Sequence, residues 1–185
     1  MALASPLSNR RGFTLIELLI TLSIAGILAA IGMPALGSML ARSHRQSAES
    51  ALEASLMHAR EMAIMHDTHV IVCPSSDGAA CSGGANWQYG WLIAADADHD
   101  DQPDRGSFVA VFNAMPSGMR ILASRGRPRI VFRSDGSASG TNAQLTVCHT
   151  GDPHAGVAVV VSNSGRVRVG DAEPDRLEAC LGAAG

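Results

Sequence analysis

The chain has 185 residues and a formal net charge of -3 at pH 7, with 46% hydrophobic and 4% aromatic residues. This length accommodates one domain with an appendage. The 14 basic residues stand against 17 acids. The overall charge therefore excludes binding of a polyanion through the global field, and such binding would need a local basic patch.

A long apolar run follows a short polar leader at the N-terminus. Residues 1–12 end in Arg-Arg-Gly, and residues 13–33 form an apolar run that one charge, Glu17, interrupts. About 20 apolar residues in a helix span the hydrocarbon core of a bilayer. The arginines before the run predict a cytoplasmic N-terminus and export of the remainder. A carboxylate in lipid is costly, so Glu17 is expected to have a partner.

The eleven residues 10–20, Arg-Arg-Gly-Phe-Thr-Leu-Ile-Glu-Leu-Leu-Ile, resemble the prepilin signal of type IV pilins and type II secretion pseudopilins. The resemblance implies that a prepilin peptidase cuts after Gly12 and that the new N-terminal residue, Phe13, is methylated. It also implies that Glu17 pairs with the N-terminal amine of a neighbouring subunit during assembly. A plain signal anchor is the alternative interpretation.

One long helix is predicted from about Thr14 to about His66, with residues 13–34 as its transmembrane half and residues 35–68 as its amphipathic half. Apolar residues in the second half recur at helical spacing: Leu52, Leu56, Ala59 and Ala63. Three methionines are interpreted as core filler: Met57, Met62 and Met65.

From residue 69 to residue 185 the pattern changes to short apolar runs separated by Gly, Pro, Asn and Asp, which is typical of strands and turns. Consecutive strands with short links favour antiparallel pairing. We therefore expect an α+β fold, in which the long helix packs on an antiparallel β-rich domain. The candidate strands are residues 69–73, 87–94, 107–113, 119–124, 129–133, 144–149, 156–162 and 166–169.

Four cysteines without Cys-x-x-Cys spacing predict two disulfides in an oxidising compartment. The β-rich part also resembles the GspH/FimT family of minor pilins and pseudopilins, through motifs that occur in a fixed order. These are Val72-Cys73-Pro74, Cys81, Trp87-Gln88-Tyr89-Gly90-Trp91-Leu92, Ile130-Val131-Phe132, Gly136, Cys148, Gly165-Arg166-Val167-Arg168 and Cys180. The resemblance implies a pilin-like fold and the disulfide pairs Cys73–Cys81 and Cys148–Cys180.

The acidic stretch from Asp96 to Asp104 has carboxylates at alternating positions, as calcium loops do. It does not fit an EF-hand, because Asp101 replaces the glycine at position six and Ser107 replaces the glutamate at position twelve. We interpret it as a solvated loop, with calcium binding as the alternative. No catalytic or cofactor motif is found, so we expect neither an enzyme nor a small-molecule substrate.

The pattern Gly-Arg-x-Arg occurs twice. The copies are Gly126-Arg127-Pro128-Arg129 and Gly165-Arg166-Val167-Arg168. Residues two apart in a strand face the same side, so each pair is expected to present two guanidinium groups together, and arginine suits phosphate. Glycine would let a phosphate backbone approach closely.

The family resemblance implies that Gly165, Arg166 and Arg168 bind DNA, since FimT-type minor pilins carry such a motif near the C-terminus. Arg125, Arg127 and Arg129 would extend this surface. The alternative is a polar edge strand whose arginines pair with nearby acids: Asp171, Glu173, Asp175 and Glu178.

These observations predict a FimT-like minor pilin of a type IV pilus that binds DNA for natural transformation. The alternative is a GspH-like structural pseudopilin of type II secretion. Expected partners are other pilins through the N-terminal helix, the prepilin peptidase, DNA and the inner membrane. The chain would cross that membrane once, with its C-terminal domain in the periplasm, before it enters the filament.

Overall fold

The computed structural model describes residues 13–100, 102–104 and 106–182. The chain divides into two compact units, Met1–Gly37 and Ser38–Gly185, and helix α1, Leu15–Met65, contributes to both. In the first unit the large apolar side chains are exposed, from 53% at Leu18 to 81% at Phe13. An 18-residue window of α1 reaches a mean hydropathy of 2.3 and has no buried residues, so α1 is long and apolar enough to cross a membrane.

The later part of α1 forms one wall of the core of the second unit. The predicted apolar face is confirmed, because Leu52, Leu56, Ala59 and Ala63 are fully buried. The interpretation of the methionines is wrong for two of the three: Met57 is 58% exposed and Met65 is 68% exposed. Only Met62 packs against the core.

Eight strands form two antiparallel four-stranded sheets. The strands are β1 (Val70–Pro74), β2 (Trp91–Ala95), β3 (Phe108–Phe112), β4 (Met119–Ala123), β5 (Ile130–Phe132), β6 (Ala143–His149), β7 (Asp152–Val161) and β8 (Val167–Asp171). Sheet A has the order β3-β2-β1-β5, and sheet B has the order β4-β6-β7-β8. Side chains from both sheets and from α1 meet in one buried cluster. The expected α+β, pilin-like architecture is therefore confirmed.

The strand predicted from residue 87 begins only at Trp91, because the preceding residues form a turn. The Gly90 N–H donates to the Trp87 carbonyl oxygen at 3.1 Å, and Trp87 donates its own N–H to Ile121 at 2.9 Å. Gly90 has a φ of 119°, and an added Cβ would lie 2.5 Å from the Phe112 carbonyl oxygen. The turn therefore needs a glycine at position 90. It also buries Trp87 at a position where the sequence predicted a strand.

A short C-terminal helix, α2 (Pro174–Gly182), was not expected from the sequence. Both disulfides have the expected pairs, Cys73–Cys81 and Cys148–Cys180. The second pair joins α2 to β6, and Cys180 is fully buried. The C-terminal segment is thus fixed against sheet B. Strand β8 of this sheet carries Val167 and Arg168 of the second Gly-Arg-x-Arg copy.

Candidate nucleic-acid interface

Gly165, the first residue of the second copy, lies in the tight turn between β7 and β8. Its N–H donates to the Ser162 carbonyl oxygen at 2.8 Å, and its φ is 74°. A Cβ at this position would lie 1.8 Å from the Gly136 carbonyl oxygen, to which the Arg60 Nε donates a 3.0 Å hydrogen bond. The glycine is required by the packing of two loops, and because it is buried, the expectation that it opens the backbone to a phosphate is wrong.

The turn presents Arg166 and Arg168 on either side of Val167, and both arginine side chains are exposed. Val167 is opposite Val161, which is buried, and Arg168 is opposite Val160. Arg166 borders a groove against α1, whereas Arg168 borders a second groove on sheet B. The two guanidinium groups are therefore available to a ligand, and they border different grooves.

The first copy is built differently, because it precedes β5 and does not lie in a strand. The Arg127 N–H closes a turn onto the Ser124 carbonyl oxygen at 3.1 Å. Its guanidinium group donates to the Gly140 carbonyl oxygen. Gly126 has a φ of 73° and open space where a side chain would be. Arg125 is exposed, and Arg127 and Arg129 are half-buried.

Three loops bring the two copies to the same end of the second unit. The loop of residues 133–142 receives the hydrogen bond from Arg127, and its Ala138 N–H donates to Asn163 in the β7–β8 turn at 2.9 Å. We call this region the basic end, defined by the arginines that these loops carry: Arg125, Arg127, Arg129, Arg133 and Arg166. Five of the 14 arginines of a chain with a net negative charge thus lie in the loops where β4 and β7 end and β6 and β8 begin.

The carboxylates expected to neutralise the second copy do not do so by direct pairing. Within the residues that the structure describes, the ion pairs are those of Arg42 and Arg45 with Asp152, and none involves Arg166 or Arg168. Asp171 and Glu173 line the same groove as Arg168. Glu61 lines the same groove as Arg166. Asp135 also lies at the basic end, and its pKa is lowered by hydrogen bonds from Ser137 and, to a smaller extent, by the charge of Arg133.

Two family profiles match the chain. That of the type II transport protein GspH matches residues 48–165, and that of the prokaryotic N-terminal methylation motif matches residues 7–33. The first covers more than half of the sequence. The chain belongs to the GspH family. Its members are structural pilins and pseudopilins, so this GspH-family protein is a minor pilin or pseudopilin of a type IV pilus or a type II secretion system.

The solved structure of a type IV minor pilin agrees with the fold of this GspH-family protein. The type IV minor pilin FimU of Pseudomonas aeruginosa is 19% identical in two crystal forms, with TM-scores of 0.53 and 0.56. The matches cover 71% and 73% of this chain and 94% and 92% of FimU. The minor pseudopilin EpsH of Vibrio cholerae is 15% identical over 71% of this chain and 96% of its own, with a TM-score of 0.47. No curated protein matches the sequence.

The residues expected to act in processing and assembly lie in the first unit. Phe13 and Glu17 are exposed, and the Glu17 N–H donates to the Thr14 hydroxyl oxygen at 3.3 Å, which caps the first turn of α1. Gly12 lies outside the described residues. An exposed carboxylate on an apolar helix is available to a partner from another subunit.

The acidic loop draws three carboxylates together. One oxygen from each of Asp96, Asp98 and Asp104 lies within 4.8 Å of the others. Backbone N–H groups of the same loop use these oxygens, with Asp100 donating to Asp96 at 3.1 Å and Ala97 to Asp104 at 2.9 Å. Such bonding helps an acidic loop to hold its shape, and the three carboxylates are also close enough together to hold a metal ion.

Two features of the site have no counterpart in the sequence interpretation. The sequence pattern places Arg60 among the polar residues of α1. Its Nε donates a hydrogen bond to the Gly136 carbonyl oxygen, in the loop that packs on Gly165. Helix α2 had a signal that could have revealed it, since Pro174 stands at its first position and Asp175 follows in its first turn, both typical of a helix start. The role of Arg60 has no local signal, because its partner is 76 residues away.

Proposed function

We propose that this GspH-family protein is a FimT-like minor pilin of a type IV pilus that binds DNA without sequence preference during natural transformation. The observation that carries the proposal is the exposed pair Arg166 and Arg168, which no carboxylate of the described residues pairs with. Gly165 shapes the turn that presents them. Arg125, Arg127 and Arg129 extend the surface at the basic end.

The chemistry favours recognition of the phosphate backbone. Guanidinium groups bind phosphate oxygens by charge and by paired hydrogen bonds. Contacts to phosphate fix a protein on the duplex without reading the bases. Arg166 and Arg168 border different grooves, so we expect them to contact separate phosphates and not to clamp a single one.

The proposal is tested with residues 38–185, because the buried core begins at Ala41 and both disulfides lie in this unit. Fluorescence anisotropy with a duplex of arbitrary sequence should show binding that weakens steeply with salt. In Arg166→Gln/Arg168→Gln, the slope of log affinity against log salt should fall by about 2, because two phosphates are no longer neutralised by arginine.

Three single variants complete the test: Arg166→Gln and Arg168→Gln separate the two arginines, and Arg42→Gln is the matched control. Arg42 is an exposed arginine that lies outside the basic end. Removal of its charge should leave the salt slope unchanged, whereas each of the other two should lower it by about 1. If the double variant binds like the wild type, the arginine pair is not the DNA site.

A second candidate function is a structural pseudopilin of type II secretion, and the match to the GspH profile favours it. The two functions separate in a deletion strain of the source bacterium. Loss of DNA uptake that wild type restores, and that Arg166→Gln/Arg168→Gln does not restore, supports the pilus proposal. Loss of protein secretion with normal uptake supports the pseudopilin.

We further propose that residues 1–12 form a leader, which a prepilin peptidase removes after Gly12, and that Phe13 is then methylated. Residues 13–34 would cross the inner membrane once, followed by the amphipathic half at residues 35–68 and the β-rich domain at residues 69–185 in the periplasm. The match of the N-terminal methylation profile supports this processing. Mass spectrometry of the mature protein should find methylated phenylalanine first, and an N-terminus at Met1 would refute it.

We propose that Glu17 pairs with the N-terminal amine of a neighbouring subunit, because each charge offsets the cost of the other inside an apolar filament core. Glu17→Gln should reduce incorporation into filaments while membrane insertion stays normal. Sheared filaments and membrane fractions, compared by immunoblot, give both measurements. Normal incorporation of Glu17→Gln would exclude the pairing.

A further inference from the structure

Near the start of the second unit, two arginines, Arg42 and Arg45, lie within ion-pair distance of one carboxylate, that of Asp152. Arg45 and Asp152 form a 2.7 Å ion pair whose side chains are 15% and 14% exposed. Arg42 approaches the same carboxylate at 3.8 Å, but its side chain is 73% exposed. A close, shielded pair satisfies Asp152, so Arg42 remains a largely solvated cation.

His149, at the end of β6, lies close to His44 of α1. The Gly151 N–H donates to His149 Nδ1 at 2.9 Å, and the His149 ring lies 6.0 Å from that of His44. Burial, and then the neighbouring His44, lower the pKa of His149, which favours its neutral form.

Exposed apolar side chains immediately precede the cation. Met39 is 70% exposed and Leu40 is 57% exposed. An apolar pair followed by a long, exposed arginine is the arrangement of a membrane interface, in which apolar groups enter the lipid and the guanidinium group reaches the headgroups.

The length of the uncharged stretch fits a bilayer. Glu17 and Arg42 bracket residues 18–41, which contain no charged residue. This uncharged stretch of 24 residues exceeds the roughly 20 apolar residues that a helix needs to cross the hydrocarbon core of a bilayer. Arg42 is therefore the first charge after a stretch long enough to span the membrane.

We propose that Arg42 binds the phosphate of an anionic phospholipid headgroup while the subunit is in the membrane, with Met39 and Leu40 at the lipid interface. The occupant follows from the position of these residues in the sequence, directly after the apolar run, and from the positive charge of Arg42. The proposal depends on membrane anchoring and is independent of DNA binding. Entry into a filament would then require release of the headgroup from Arg42.

The first test uses native mass spectrometry of the full mature chain in detergent micelles, titrated with phosphatidylglycerol or phosphatidylcholine. The wild type should retain phosphatidylglycerol more tightly. Arg42→Gln should bind it about fivefold more weakly, the effect of one basic residue at an anionic surface, with no change for phosphatidylcholine. Arg166→Gln is the matched control and should behave like the wild type.

The second test locates the interface with two exposed methionines of the same helix. In vesicles that contain brominated phosphatidylglycerol, the fluorescence of Met39→Trp should be strongly quenched. Met57→Trp lies 18 residues further along, about 27 Å of helix, and should be unquenched. The two native tryptophans, Trp87 and Trp91, are fully buried and give the background.

Two results would overturn the proposal. Equal retention of phosphatidylglycerol by the wild type and Arg42→Gln would show that Arg42 does not bind the headgroup. Equal quenching of the tryptophans at positions 39 and 57 would show that Met39 does not lie at the lipid interface. A weaker DNA affinity in Arg166→Gln, with its lipid binding intact, would leave the lipid proposal standing whatever becomes of the DNA site.

Discussion

The two Gly-Arg-x-Arg copies have the same pattern and opposite environments. In the first, Gly126 faces open space and Arg127 is tied to the Gly140 carbonyl oxygen. In the second, Gly165 is buried against Gly136 and Arg166 is exposed without an ion pair among the described residues. A short motif therefore defines which chemical groups are present, whereas the residues packed around it decide which of those groups can contact a ligand.

The largest expected effect that separates the copies concerns their glycines. Gly165→Ala should destabilise the second unit by about 3 kcal/mol, because a left-handed φ costs an L-residue about 1–2 kcal/mol and the clash with Gly136 adds to it. Gly126→Ala has the same φ without the clash and should cost about 1 kcal/mol. Urea unfolding of residues 38–185 measures both. Equal destabilisation would mean that the packing of Gly165 on Gly136 is not important.

The next effect concerns the anchor of the second copy on α1. Arg60→Met keeps an unbranched apolar stem and removes the hydrogen bond to Gly136, so it should cost about 1.5 kcal/mol. Arg133→Met is the control, since that exposed guanidinium makes a long 3.4 Å hydrogen bond to Ser139, and it should have a smaller effect. A larger destabilisation in Arg133→Met would show that the hydrogen bond from Arg60 is not the main anchor of the loop of residues 133–142.

The smallest effect on stability distinguishes the arginines themselves. Arg127→Gln should destabilise the second unit by about 1 kcal/mol, because Arg127 holds the Gly140 carbonyl group, and Arg166→Gln should have almost no effect on stability. DNA affinity should rank the other way, with the larger decrease in Arg166→Gln. Chemical unfolding and fluorescence anisotropy on the same two variants measure the two opposite rankings. If both variants lose stability and DNA affinity to the same extent, the two copies act alike.

The sequence predicted most of the fold because its signals are local. Periodic apolar residues such as Leu52 and Leu56 indicated the buried face of α1, and turn residues separated all eight strands. The prediction failed at Trp87, where a β-favouring residue enters a turn whose hydrogen bonds come from β4 and whose tightness depends on a carbonyl group of β3. It also missed α2, because Cys180 is the buried residue of this helix and its sequence shows no recurring apolar face.

The candidate site was only half predictable. The arginines were identified by their pattern, but their grouping depends on loops that meet across long sequence separations, as between Arg127 and Gly140 or Ala138 and Asn163. The expectation that each pair lies in a strand failed for the first copy, which is a turn, whereas the second copy straddles the start of β8.

By itself the sequence determined the apolar run, its single carboxylate Glu17, the order of strands along the chain and the number of arginines, because each of these is written in adjacent residues. Only the tertiary structure decided which glycine is required by packing, which arginine side chain donates to a carbonyl group, and that Asp152 pairs closely with Arg45 and only distantly with Arg42. These properties depend on distances between residues far apart in the chain, and the packing of the two sheets on α1 sets those distances.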